Sequence, residues 1–183
     1  MLLDFRAVKR RIHIKDDGQQ VHENDAEHSY SLAMAAWYLS AYFPELDSNQ
    51  IIKYALAHDL VEVHAGDTYA FADDTALNAK ADKERRAAER LKNEWSDFVE
   101  IHEMIAAYED RASPEAKFVY ALDKIMPMLL NLLNDGYTWH KEHLTYQRLY
   151  DNKIAKIAVS PELEPYGKAL FELMADHPEL LPQ

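Results

Sequence analysis

Four glycines in 183 residues leave this chain few ways to build a sheet. Tight turns between strands rely on residues that accept a positive φ, and only Gly18, Gly66, Gly136 and Gly167 do so freely. Asn-Gly and Gly-Gly hairpin signals are absent. Alanine, leucine, glutamate and lysine, all good helix formers, dominate instead. The expected fold class is all-α, a helical bundle of about seven to eight helices. The length suits a single domain over residues 1–183 with one sizeable core.

Punctuation along the chain divides it further. A first helix is expected over residues 4–14, then a polar loop, 15–24, containing Asp16-Asp17-Gly18. A second helix spans about 25–43. Its stretch 32–39 is apolar on every face, which predicts a central, buried helix. Pro44 stops it, and Asp47 or Ser48 caps a third helix over 49–65. Gly66 fits the left-handed position just beyond that helix. A charged fourth helix covers 76–95 and an acidic fifth 97–108. Ser113-Pro114-Glu115 opens a sixth, apolar helix reaching Leu133. The last two, 140–158 and 161–175, belong to the same domain.

Charge and composition exclude several functions. Acids outnumber bases 32 to 20, a net charge of -12, which disfavours a nucleic-acid polymer as partner. The absence of cysteine removes disulfides, thiolate zinc sites, iron–sulfur clusters and a cysteine nucleophile. Nine histidines remain, with Asp and Glu, as strong metal ligands. The charged start Met1-Leu2-Leu3-Asp4-Phe5-Arg6 is unlike a secretory segment, and no apolar run approaches membrane-spanning length. A cytoplasmic protein with no membrane partner is expected.

Three apolar helices carry polar residues foreign to a plain core: Glu27-His28, His58-Asp59 with Glu62, and Asp123-Lys124. Buried charge costs several kcal/mol unless paired or metal-bound. His28, His58, Asp59 and Asp123 offer two imidazoles and two carboxylates, a donor set for Mn, Fe, Co, Ni or Zn, with Mg as a further candidate. On spacing alone, hydrogen-bonded core histidines and a chance His-Asp pair remain alternatives. His58 and Glu62 stand at i and i+4 on one helical face, and Asp67 follows Gly66, where the chain can turn back over that face. Glu62 is thus placed to exchange protons with a metal-activated water.

The order His … His-Asp … Asp on helices resembles the HD-domain superfamily of metal-dependent phosphohydrolases. The branch containing the bacterial 5′-deoxynucleotidases is the most similar. Glu23-Asn24-Asp25-Ala26-Glu27-His28-Ser29 resembles its first motif. The run from His58-Asp59-Leu60-Val61-Glu62 to Gly66-Asp67-Thr68 resembles the second, and Pro114 to Asp123-Lys124 the third. Gly136 and Trp139 also fit, so the likeness covers most of residues 10–160.

The resemblance implies that His28, His58, Asp59 and Asp123 hold one divalent transition metal. It implies that Glu62 serves proton transfer and that Asp67 contacts the sugar or the reaction site. In that branch an Arg-Trp pair grips phosphate and screens the sugar 2′ position. Here Lys9-Arg10-Arg11-Ile12-His13 offers Arg11 or Arg10 for phosphate but no Trp, so deoxyribose selectivity is not implied. Lys124 is a further candidate for offsetting phosphoryl charge. Pro127, four residues after Asp123, cannot donate to the Asp123 carbonyl, and a kink there would turn that carboxylate inward. The implied substrate is a small phosphorylated compound, a nucleoside 5′-monophosphate. The alternatives are a non-catalytic nucleotide- or metal-binding sensor, a phosphomonoesterase for another substrate, or a structural bundle. A homodimer is also implied, with Tyr137, Trp139, Tyr146, Tyr150, Tyr166 and Phe171 as candidate contacts.

Overall fold

The computed structural model describes residues 2–182. It is helical as expected, and the largest departure is at the start. Helix α1 is the single turn Leu2–Phe5, and the chain then forms strands β1 (Lys9–Asp16) and β2 (Gln19–Asn24) rather than a helix and a loop. The strands pair antiparallel around Asp17-Gly18, whose φ values of 49° and 77° suit a two-residue turn with both central residues at positive φ. Asp-Gly is a hairpin signal, and the alternation Ile12-His13-Ile14 supports a strand. The overall helical bias of the composition obscured both.

The hairpin is irregular in a useful place. Lys9 pairs with Asn24 and His13 with His22, so β1 carries two more residues than β2 between these points. A bulge of this kind bends a strand and re-aims its side chains. Arg10 lies within it.

The helices follow local signals closely. Asn24 caps α2 (Asp25–Ser40) with a capping box, its side chain accepting from the Glu27 amide while Glu27 accepts from the Asn24 amide. Asp47 caps α3 (Ser48–Ala57), accepting from the amides of Asn49 and Gln50. The third helix does not run to residue 65. It breaks at His58 and resumes as the turn α4 (Glu62–Ala65). Gly66 follows with φ 74° and ψ 153°, a glycine region different from the expected left-handed helical one. Then come α5 (Asp74–Glu94), α6 (Val99–Asp110) and α7 (Pro114–Leu133), the last capped by Ser113 with Pro114 in its first turn. The expected helix 140–158 divides into α8 (Tyr137–Lys141) and α9 (Tyr146–Ile157), and α10 (Glu164–Asp176) closes the helical part. No described helix is long and apolar enough to cross a membrane.

The core lies where α2, α3, α7 and α9 meet. Leu32, Ala36, Ile51, Ala55, Phe118, Leu122, Leu149 and Ile157 are all buried there. Helix α2 is only half what its apolar run predicts. Leu32, Ala33 and Ala36 are buried, but Tyr30, Met34, Trp37, Tyr38 and Tyr42 form an exposed stripe, with Trp37 56% accessible. The helix lies at the edge of the bundle and not at its centre, so one apolar face has no partner among the described residues.

Gly136 starts α8 at φ 69°, and a Cβ built there would come within 1.9 Å of the Leu180 carbonyl oxygen. The Gly136→Ala variant therefore combines left-handed backbone strain of about 1–2 kcal/mol with a main-chain clash. A loss of at least about 2 kcal/mol, a fall of roughly 4–8 °C in Tm, is the expected result by thermal denaturation.

Candidate metal centre

The side chains of the site arrive from three separate parts of the chain. Asp25 and His28 project from the first turns of α2, both fully buried. His58 and Asp59 occupy the break between α3 and α4, and Glu62 opens α4. Asp123 lies in the middle of α7, opposite them. The helix break sets the His58-Asp59 step, since neighbouring residues in an unbroken helix point about 100° apart.

The ligand atoms of His28, His58 and Asp59 converge within 4.8 Å of one another. Asp123 Oδ1 is 3.0 Å from His28 Nε2 and 3.9 Å from His58 Nε2. A second convergent group, Asp25, Asp59 and Glu62, shares Asp59 with the first. His58 Nδ1 donates to the Ala55 carbonyl at 2.9 Å, which assigns the ring's proton to that nitrogen and leaves a lone pair on Nε2. That Nε2 is buried and 3.0 Å from Asp59 Oδ2, yet it has no hydrogen-bond partner. A lone pair facing a carboxylate at this distance is repulsive unless a cation joins them. Both oxygens of Asp25 and Oε2 of Glu62 are likewise buried without a hydrogen bond. Two imidazoles and two carboxylates so placed fit a borderline divalent ion.

Two residues outside the four expected ligands complete the site: Glu23, which the sequence reading left without a role, and Arg10, which it offered with Arg11 for phosphate. Glu23, from β2, brings Oε2 to 3.4 Å from His28 Nδ1, on the side from which a carboxylate can orient a ligand imidazole, although neither atom makes a hydrogen bond in this geometry. Arg10, from the bulge, lies among the acids: Nη1 is 2.6 Å from Asp59 and 3.5 Å from Asp25, Nε 3.3 Å from Glu23, Nη2 3.8 Å from Asp123. Its side chain is 14% accessible. Arg11, its neighbour, points to the rim, 59% accessible and 3.9 Å from Glu142. Alternation along β1 separates the two arginines, and the bulge decides which one turns inward. The run Lys-Arg-Arg alone contains no such signal.

The electrostatics follow from this crowding. Burial raises the Glu62 carboxyl, and the charges of Asp59, Asp67 and Asp25 raise it further, to about 11. Burial and the Asp59 charge push Asp25 up to about 7, with Arg10 opposing. Asp67, half-buried on the cavity wall, is also raised, chiefly by burial. Burial acts against ionised Asp59, but Arg10 beside it holds it below the usual carboxylate range. Asp123 is also buried and is held low by Lys124, which donates to it at 2.5 Å, and by His28.

The centre opens into a cavity of about 450 Å³, large enough for a nucleotide-sized ligand. Asp59, Glu62, Asp67, Asp123 and Lys124 line it on one side; Tyr69, Phe71, Leu77 and Leu149 supply apolar wall. Pro127 also lines it, with α7 continuing on both sides. His64 turns elsewhere, its Nε2 3.0 Å from Glu94.

Comparisons with known proteins agree with this architecture. Residues 4–164 match the family model described as HD domain. The 5'-deoxynucleotidase HDDC2 of Xenopus laevis is 30% identical over 152 residues, covering 82% of this chain and 73% of that protein. Its human counterpart is 30% identical over 104 residues, 56% of this chain and 50% of the relative. Among solved structures, a predicted metal-dependent phosphohydrolase from Magnetospirillum magnetotacticum MS-1 superposes with a TM-score of 0.83 at 30% identity, over 99% of this chain and 91% of that one.

Proposed function

The chain belongs to the HD-domain family, and from that premise we propose that it is a metal-dependent phosphohydrolase acting on nucleoside 5′-monophosphates. The observation that carries the reading is the buried His58 Nε2, without a hydrogen bond and 3.0 Å from Asp59 Oδ2 on the cavity lining. His28, His58, Asp59 and Asp123 are the proposed ligands, for one Mn, Co, Ni, Fe or Zn ion, with Mg a further candidate. When bound, that ion supplies Lewis acidity and lowers the pKa of a bound water.

The chain's own residues do the rest. Glu23 holds the His28 ring from its Nδ1 side. Glu62 and Asp67 line the cavity beside Asp59, where a proton must reach the departing 5′ oxygen or leave the attacking water. Arg10 and Lys124 counter charge around the reacting phosphoryl group. Tyr69 and Phe71, whose ring centroids lie 5.6 Å apart, form an aromatic wall suited to a base. Arg11, at the rim, is placed for an outer part of the substrate. The 30% identical relatives named 5'-deoxynucleotidase support a nucleotide substrate.

The test is phosphate release from a panel of ribo- and deoxyribonucleoside monophosphates with Mn, Co, Ni or Mg added. Turnover of at least one nucleotide is expected. Failure on all of them, with activity on another phosphomonoester, would leave the metal centre and remove the nucleotidase assignment.

We further infer that the working unit, a single domain over residues 1–183, is a cytoplasmic homodimer. Of the aromatic residues first considered as contacts, Trp139 and Phe171 are buried inside the chain. The α2 stripe is the better surface: large apolar side chains at 30, 34, 37, 38 and 42 lie on one face, more than a monomer normally leaves exposed. Such a stripe can pair with its own copy about a two-fold axis. Trp37→Glu should convert a dimer to a monomer in sedimentation velocity; a wild-type monomer at micromolar concentration would refute the dimer.

A further inference from the structure

Helix α9 carries a lysine where its core-facing stripe calls for an apolar residue. Leu149, Lys153 and Ile157 stand at i, i+4 and i+8, and these three are the buried residues of the helix. Lys153 is 6% accessible, and its neighbours on the stripe are almost completely buried. A lysine that only covers apolar surface with its stem carries its ammonium out to water. Lys153 instead lines the cavity of the candidate metal centre. Among the described residues no hydrogen bond or ion pair reaches its ammonium.

The other lysines on that wall are mostly committed. Lys124 is bound to Asp123 at 2.5 Å, and Lys80 lies 3.3 Å from Glu84. Lys156, one position short of a full turn from Lys153, reaches only the neutral Asn152 Oδ1 at 3.2 Å. Lys153 and Lys156 thus line the cavity with no carboxylate of the described residues in ion-pair range. Burial opposes the charge of Lys153 and, with Lys124 and Lys156 nearby, holds its pKa down to about 7, although Asp123 works the other way. A buried ammonium in this position costs stability, and an anion arriving in the cavity would offset that cost.

We propose that Lys153, backed by Lys156, is the anion-binding element of the cavity and receives the phosphoryl oxygens of the substrate. The chemical class of its ligand is a phosphate monoester or free phosphate. The proposal rests on the phosphohydrolase reading for what the anion is, and on the geometry of α9 for where it binds. It also explains how a chain of net charge -12 can take a dianionic ligand: the cavity that holds the acids is also lined by Lys153 and Lys156.

The test uses the full chain loaded with metal and inorganic phosphate as probe, by titration calorimetry and as an inhibitor of turnover. Lys153→Met should weaken phosphate binding about tenfold or more, as expected for loss of a charge-assisted contact, with metal content unchanged and Tm equal or higher. Lys153→Gln, which keeps a polar end, should lose binding to a similar degree. Phosphate binding at wild-type strength in either folded variant overturns the proposal. Full kcat/KM in Lys153→Met would overturn it while leaving the hydrolase reading intact. Phosphate binding that depends on Lys153, in a protein that releases phosphate from no monoester, would keep the anion site and remove the hydrolase reading.

Discussion

Asp59→Asn should abolish metal binding and reduce phosphate release by about 10³-fold or more, because roughly 4 kcal/mol of transition-state stabilisation goes with the ion. The same substitution should make the chelated protein less stable, not more. In the wild-type chain Arg10, 2.6 Å from Asp59 Oδ2, favours the ionised carboxylate and holds it below the usual carboxylate range against burial. An Asn amide can donate to His58 Nε2 but gives up that charge pairing. Arg10 loses its 2.6 Å contact but keeps Glu23, Asp25 and Asp123 within 4 Å, so no cation is stranded. Elemental analysis after metal repletion and thermal denaturation in chelator measure the two effects. A variant that retains stoichiometric metal would remove Asp59 from the ligand set.

Glu62→Gln should separate metal binding from turnover. Gln has nearly the shape of Glu and no charge, so the first turn of α4 and its packing persist. Glu62 is not among the four proposed ligands, so the metal content should stay at the wild-type level. A positioned acid or base contributes about 10²–10⁴ in rate, and that is the expected loss in kcat. The removal of a buried carboxyl beside Asp25 and Asp59 should raise Tm, since burial and those charges disfavour its ionised form. A variant with full kcat would exclude Glu62 from proton transfer. One that lost metal as well as activity would move Glu62 into the coordination sphere, consistent with its convergence on Asp25 and Asp59.

The parts of the site legible in the sequence are those that depend on neighbours in the chain. The caps Asp47 and Ser113 and the start of α7 could be read because one side chain answers one nearby amide. His28, His58, Asp59 and Asp123 stood out as polar residues in apolar helices, and family resemblance ordered them. The hairpin was missed although Asp17-Gly18 marks it, because a count of glycines weighs the whole chain and a turn needs only one pair. The stripe of α2 was misjudged for a related reason. An apolar run states that a helix can be buried all round, and the number of neighbours around it decides whether it is.

By itself, then, the sequence determined the helical class, the starts of α2, α3 and α7, the cysteine-free donor set and the family resemblance. Each of these follows from backbone preference, local capping or motif order, and none needs distant residues to be placed. The tertiary structure alone decided that Arg10 and not Arg11 turns in among the acids, that Glu23 supports His28, and that Asp25 joins the centre. It alone put the ammonium of Lys153 on the cavity wall. These depend on a two-residue bulge in β1, a break after α3 and the packing of α9 against α7. Charge placement is a long-range property, set by which surfaces the apolar core brings together, and no local pattern of residues encodes it.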